Sequence, residues 1–133
     1  MAGPSLDGFN LEDKDSSIDN INNLIHVGFI TDEEIAFFMK HCKAFIFPSI
    51  YEGFGLPPLE ALYFGAKVLC SNASCLPEIY KNYVAYFNPY DYDVDLDKLL
   101  KRKVDDPKTI FDMYSFEIGA KQLFQLIKKY EGN

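Results

Sequence analysis

Short apolar blocks separated by polar, turn-rich segments run through most of this chain. Ala44-Phe45-Ile46-Phe47 is an aromatic-rich run stopped by Pro48, and its length suits a buried strand rather than a helix. Lys67-Val68-Leu69-Cys70-Ser71 and Tyr83-Val84-Ala85-Tyr86-Phe87 are further β-prone runs, and residues 23–29 have the same character. Between them the period changes. Thr31-Asp32-Glu33-Glu34 is a Thr-x-x-Glu capping box that opens a helix with Ile35, Phe38, Met39 and Cys42 on its apolar face. Leu59, Leu62 and Tyr63 recur at helical spacing until Gly65, a residue suited to the left-handed position past a helix end. A short helix is expected around residues 77–80 and another over 94–101, before Asp105-Asp106-Pro107 breaks the chain. A final helix is expected from Tyr114 or Ser115 to Tyr130, burying Ile118, Leu123, Leu126 and Ile127, with Lys128 and Lys129 near its C-terminus. Strands alternating with helices imply an α/β fold with a parallel sheet.

The first 22 residues break this pattern. They are polar and acidic, with Asp7, Glu12, Asp13, Asp15 and Asp19, and are expected to be an acidic loop or a poorly ordered lead-in, with only Met1 to Gly3 suited to the tail of a strand. Residues 23–133 are then one domain, or a piece of one. The chain's 133 residues, 48% hydrophobic and 25% charged, suffice for one ordinary core. A net charge of -7 argues against general nucleic-acid binding, while leaving room for a nucleotide in a local pocket. Three cysteines, Cys42, Cys70 and Cys75, lack metal-site spacing and suggest reduced thiols in a cytoplasmic protein. No apolar run approaches the roughly 20 residues of a membrane helix, and the N-terminus does not read as a signal peptide.

The candidate chemistry lies between the strand at 44–47 and the helix that follows, in Ser49-Ile50-Tyr51-Glu52-Gly53-Phe54-Gly55-Leu56-Pro57-Pro58-Leu59-Glu60. Two glycines permit close approach of backbone to a ligand, and prolines suit a first helical turn, whose N–H groups lack intrahelical partners. The amides of Gly53 to Leu56, then Leu59 and Glu60, are the candidate donors. Such donors at a helix N-terminus favour an anion, most often a phosphate, and Glu52 and Glu60 flank them. Ligands of open parallel sheets bind beyond the carboxyl ends of the strands, where this loop is expected.

Pro48-Ser49, Tyr51-Glu52-Gly53-Phe54-Gly55-Leu56-Pro57, Leu59-Glu60-Ala61, Gly65 and Val68 together resemble the Glu-x7-Glu signature of retaining GT-B glycosyltransferases, family 4 in particular. Val27-Gly28, Ser71, Leu76-Pro77-Glu78 and Phe87-Asn88-Pro89 fit the same spacing, so the resemblance runs from about Asn23 to the C-terminus. It implies the C-terminal half of a GT-B fold: a Rossmann-like three-layer parallel sheet with helices on both faces, binding a nucleotide diphosphate sugar. By this resemblance Glu52 faces the donor sugar's hydroxyls as the catalytic residue. Gly53, Phe54, Gly55 and Leu56 meet the sugar and diphosphate, Glu60 holds the ribose hydroxyls, and Ile30 lies near the nucleobase. No metal and no separate cofactor are expected, because amide dipoles handle the diphosphate. The family's first strand and helix of this domain, with a Gly-Arg and a Lys that grip the diphosphate, are expected upstream of residue 1. So is an N-terminal domain that binds a glycan or lipid-linked acceptor, and this chain alone is expected to be inactive.

Plainer roles stand beside these. Glu60 in a first helical turn also complements the helix dipole, a contribution of about 0.3–1 kcal/mol. Glu78, His26, His41 and the cysteines suit structural roles, and Lys101-Arg102-Lys103 suits a solvated face or an anionic lipid surface, which would place a cytoplasmic protein at the inner face of the membrane. A non-catalytic nucleotide or sugar-binding module and a nucleotide-sugar epimerase of the same architecture are the alternative functions.

Overall fold

The structure, a computed structural model, describes residues 23–131. The expectations for residues 1–22 lie outside the described residues. The chain falls into two units, divided between Phe38 and Met39.

In the first unit, residues 24–30 lead to a helix, α1 (Asp32–His41), which continues across the division. The capping box forms in both directions: the Thr31 N–H donates to Glu34 Oε2 at 2.8 Å, and the Glu34 N–H donates to Thr31 Oγ1 at 3.3 Å. The strand expected over 23–29 is not observed. Bridging there is limited to Gly28, which has φ 65°, and Ile25 and Phe29 are exposed. An apolar run becomes a strand only when its backbone joins a ladder, and no ladder to these residues forms among the described ones.

The second unit is built on three parallel strands, β1 (Phe45–Phe47), β2 (Val68–Ser71) and β3 (Ala85–Phe87), in the spatial order β1-β2-β3. Phe45 lies opposite Val68, and Leu69 lies opposite Ala85. All four side chains of β2 are buried. Because successive side chains of a strand point to opposite faces, both faces of the sheet are covered at β2. The fold is therefore α/β and Rossmann-like, as the alternation of elements implies.

Helix α2 (Leu56–Tyr63) joins β1 to β2 and lies against both, burying Pro58, Ala61 and Leu62. It ends as expected: Gly65 has φ 83°, and its N–H donates to the Leu62 carbonyl. Helix α3 (Leu76–Tyr80) joins β2 to β3 and buries Leu76, Ile79 and Tyr80. Helix α4 (Leu96–Lys101) starts where the Lys98 N–H donates to Asp95 Oδ1 at 2.9 Å. At its other end the Lys67 ammonium donates to the carbonyls of Leu100 and Arg102, where a cation complements the helix dipole.

Two further differences concern the C-terminal part. Pro107 does not simply break the chain; it begins helix α5 (Lys108–Met113), whose Ile110 is buried. Asp106 Oδ1 accepts from the Lys108 N–H at 3.0 Å, so the acidic residue before the proline acts as a cap. Helix α6 (Phe116–Glu131) has the expected extent, and Ser115 Oγ accepts from the Ile118 N–H at 3.2 Å. The burial expected for Ile118, Leu123, Leu126 and Ile127 is absent: they are 36%, 60%, 53% and 44% exposed. Helical periodicity identifies an apolar side, but it does not supply a surface to cover it. Among the described residues, no helix is long and apolar enough to cross a membrane.

Candidate functional site

Strand β1 delivers the chain to Pro48 and Ser49 at its carboxyl end, and α2 begins at Leu56. The loop between them turns at Gly55, the N-cap of α2, which has φ 81° and ψ 58°. That left-handed conformation suits glycine, and space demands it too. A Cβ there would stand 2.7 Å from Leu76 Cδ2 and 3.8 Å from Glu52 Cγ, so the Glu52 stem lies over the glycine.

No side chain caps α2. Pro57 and Pro58 remove two N–H groups from its first turn, the Leu59 N–H donates to the Tyr80 phenol oxygen, and helix geometry directs that of Glu60 to the Leu56 carbonyl. The amides of Gly53, Phe54, Gly55 and Leu56 have no acceptor among the described residues. Four consecutive unpaired donors thus sit between two carboxylates. Glu52 is half-buried and Glu60 is exposed on the first turns of α2. The arrangement can donate hydrogen bonds to an anion and accept them from hydroxyls.

The remaining site residues divide between backbone and side-chain roles. Phe54 is anchored through its ring, which meets Tyr114 edge-to-face at 5.3 Å between centroids. Leu56 exposes about half of its surface (53%), and the neighbouring Ile50 and Tyr51 are exposed as well. Ile30 is half-buried in the first unit. Two concavities, of about 590 and 550 Å³, lie elsewhere, around Phe87, Asp91 and Arg102 and around Lys43, Ile46 and Leu100.

Hydroxyl groups from the β2–α3 segment hold the carbonyl side of the loop. The Ser71 hydroxyl donates to the Ser49 carbonyl, and the buried Tyr80 hydroxyl donates to that of Gly55. Burial pushes the Tyr80 phenol well above its ordinary range, which keeps the proton needed for that bond. Ser74 Oγ donates to the Glu52 carbonyl at 2.9 Å and accepts from the Glu52 N–H at 3.3 Å. The Cys75 thiol donates to the same carbonyl at 3.2 Å. Beneath them Cys70 is fully buried, and desolvation raises its thiol to about 12. These supporting residues escape sequence reasoning because the contacts span more than twenty residues. The only local signal is the turn composition of Ser71-Asn72-Ala73-Ser74.

A family model described as "Glycosyl transferases group 1" matches residues 1–113. Serotype-specific mannosyltransferase WbdA of Escherichia coli is 44% identical over 85 residues, covering 64% of this chain and 10% of that protein. O-antigen chain mannosyltransferase B of Escherichia coli is 37% identical over 81 residues, covering 61% of this chain and 21% of that protein. MMP alpha-(1->4)-mannosyltransferase of Mycolicibacterium hassiacum is 32% identical over 94 residues, covering 68% and 23% respectively. The chain therefore spans about a tenth to a quarter of the length of these curated relatives.

Proposed function

We propose, for a chain that belongs to the group 1 glycosyl transferases, that it is the donor-binding part of an enzyme transferring a mannosyl residue from a nucleotide diphosphate sugar, with retention of configuration. The observation that carries this reading is the run of four amides, Gly53 to Leu56, with no acceptor among the described residues, between Glu52 and Glu60. A diphosphate is an anion matched to such donors, and they also stabilise the charge that grows on it as the sugar departs. Glu52 accepts hydrogen bonds from the sugar hydroxyls and Glu60 from the ribose hydroxyls. No metal is required, because the amide dipoles take up the charge. Mannose is chosen because mannosyltransferase is the activity in the names of the three relatives above.

The acceptor is a glycan or a lipid-linked glycan, bound by a further N-terminal domain. The work takes place in the cytoplasm, at the membrane's inner face when the acceptor is lipid-linked. The isolated chain then binds donor without transferring sugar. Calorimetric titration with UDP, GDP and ADP tests the reading, with Glu60→Ala as control. One of the three should bind, chelator should leave the affinity unchanged, and Glu60→Ala should weaken it about 10-fold or more, as expected for hydrogen bonds to a charged group. Failure of all three to bind at millimolar concentration, or an unaltered affinity in Glu60→Ala, would sink the assignment.

A further inference from the structure

The geometry points to Ser74 as a positioning residue that fixes Glu52 through its hydroxyl, an inference that rests on the donor-site reading of Glu52. Ser74 has φ 54°, in the left-handed region that glycine occupies freely and other residues seldom adopt. It is exposed, so packing does not explain why a side chain is kept there. Its hydroxyl does. One oxygen donates to the Glu52 carbonyl and accepts from the Glu52 N–H, engaging both backbone groups of a single residue 22 positions away. The Cys75 thiol adds a donor to the same carbonyl, so both bonds to that oxygen come from the turn before α3.

The consequence is directional. With the Glu52 N–H and carbonyl both occupied, the two peptide groups flanking its Cα are restrained and the carboxylate stem is held over Gly55, where Cγ lies 3.8 Å from the position of a Cβ. The next four amides remain unpaired. Ser74 therefore sets the separation between the carboxylate and the amide run without itself contacting a ligand. A glycine at position 74 would keep the backbone path and lose only the clamp.

Ser74→Gly separates this role from a structural one, because it relieves the left-handed strain while removing the hydroxyl. Its melting midpoint should match or exceed that of the wild type. Amide hydrogen exchange at Glu52 should nevertheless accelerate roughly 3- to 10-fold, the range expected for one lost hydrogen bond. For whichever of GDP-mannose, UDP-glucose and ADP-glucose the wild-type chain binds, the dissociation constant should rise by a similar factor. The matching nucleoside diphosphate, which lacks the sugar, should change less than about twofold. In a Glu52→Ala background, Ser74→Gly should add almost nothing, since it acts through Glu52. An unchanged Glu52 exchange rate, or an equal loss for nucleotide sugar and nucleoside diphosphate, overturns the positioning role while leaving the donor site standing. A wild-type chain that binds neither GDP-mannose nor UDP-glucose nor ADP-glucose overturns the donor site itself, and the positioning role with it.

Discussion

Helices α2 and α6 each carry an apolar side, yet that of α2 is buried at Pro58, Ala61 and Leu62 while that of α6 is exposed. Ala61 and Leu62 of α2 meet the sheet, and the loop that opens this helix holds the unpaired amides. On α6, Phe116, Leu123, Phe124 and Tyr130 expose between 58% and 94% of their surface. The matched family segment, residues 1–113, includes α2 and stops short of α6. A ligand site needs backbone held in fixed places, and only the covered helix stands on a rigid base. Amphipathic spacing alone does not distinguish the two cases.

Leu62→Ala probes the covered side most strongly. It should cost about 2–5 kcal/mol of stability in chemical denaturation, because the side chain is enclosed and its cavity cannot fully collapse. A loss below about 1 kcal/mol would mean that α2 is no better anchored than α6. Alkaline pH attacks the same base from below. The Cys70 thiol is raised from 9.0 to about 12 by burial, so the folded state holds its proton more tightly than the unfolded chain. That contribution is fully present below pH 9.0 and is lost as pH rises through the folded value. At about pH 10.5 the loss should reach about 2 kcal/mol, and Cys70→Ala should flatten the decline, leaving the part due to Tyr80 and Tyr86.

Gly55→Ala should cost about 1–2 kcal/mol for the left-handed backbone alone, with crowding against Leu76 adding to it. Donor affinity should fall with it, which a melting curve and a titration on the same sample will read. Phe124→Ser on α6 should change stability by less than about 0.5 kcal/mol. A larger loss would show that the open side is covered in solution, and would dissolve the contrast between the two helices.

Much of the fold was legible because its signals are local. The capping box at Thr31 and Glu34, the glycine that ends α2 and the short apolar runs of β1, β2 and β3 each act within a few residues. The left-handed turn at Gly55 and the start of α2 were legible for the same reason, since the glycines and prolines that make them fall in one stretch of sequence. Residues 24–29 misled because β character is a property of a pair of segments, and their own composition says nothing of a partner. α5 was missed because Asp106 and Pro107, read as a break, form its start. The clamp from Ser74 and the bond from Tyr80 join distant parts of the chain, so neither leaves a spacing that can be read beforehand.

The order of the strands in space repeats their order in the chain. Each pairing therefore closes only one intervening loop and helix, with Phe45 meeting Val68 and Leu69 meeting Ala85. Loop-closure entropy grows with the length enclosed, so each of these parallel pairings costs less to close than one that skips a strand. The first closure brings together β1, the amide-bearing turn, α2 and β2 in a single event. Contact-order reasoning predicts that β1, α2 and β2 assemble early in refolding, and that the loop takes its final shape when Ser74, Cys75 and Tyr80 of the next segment close on it.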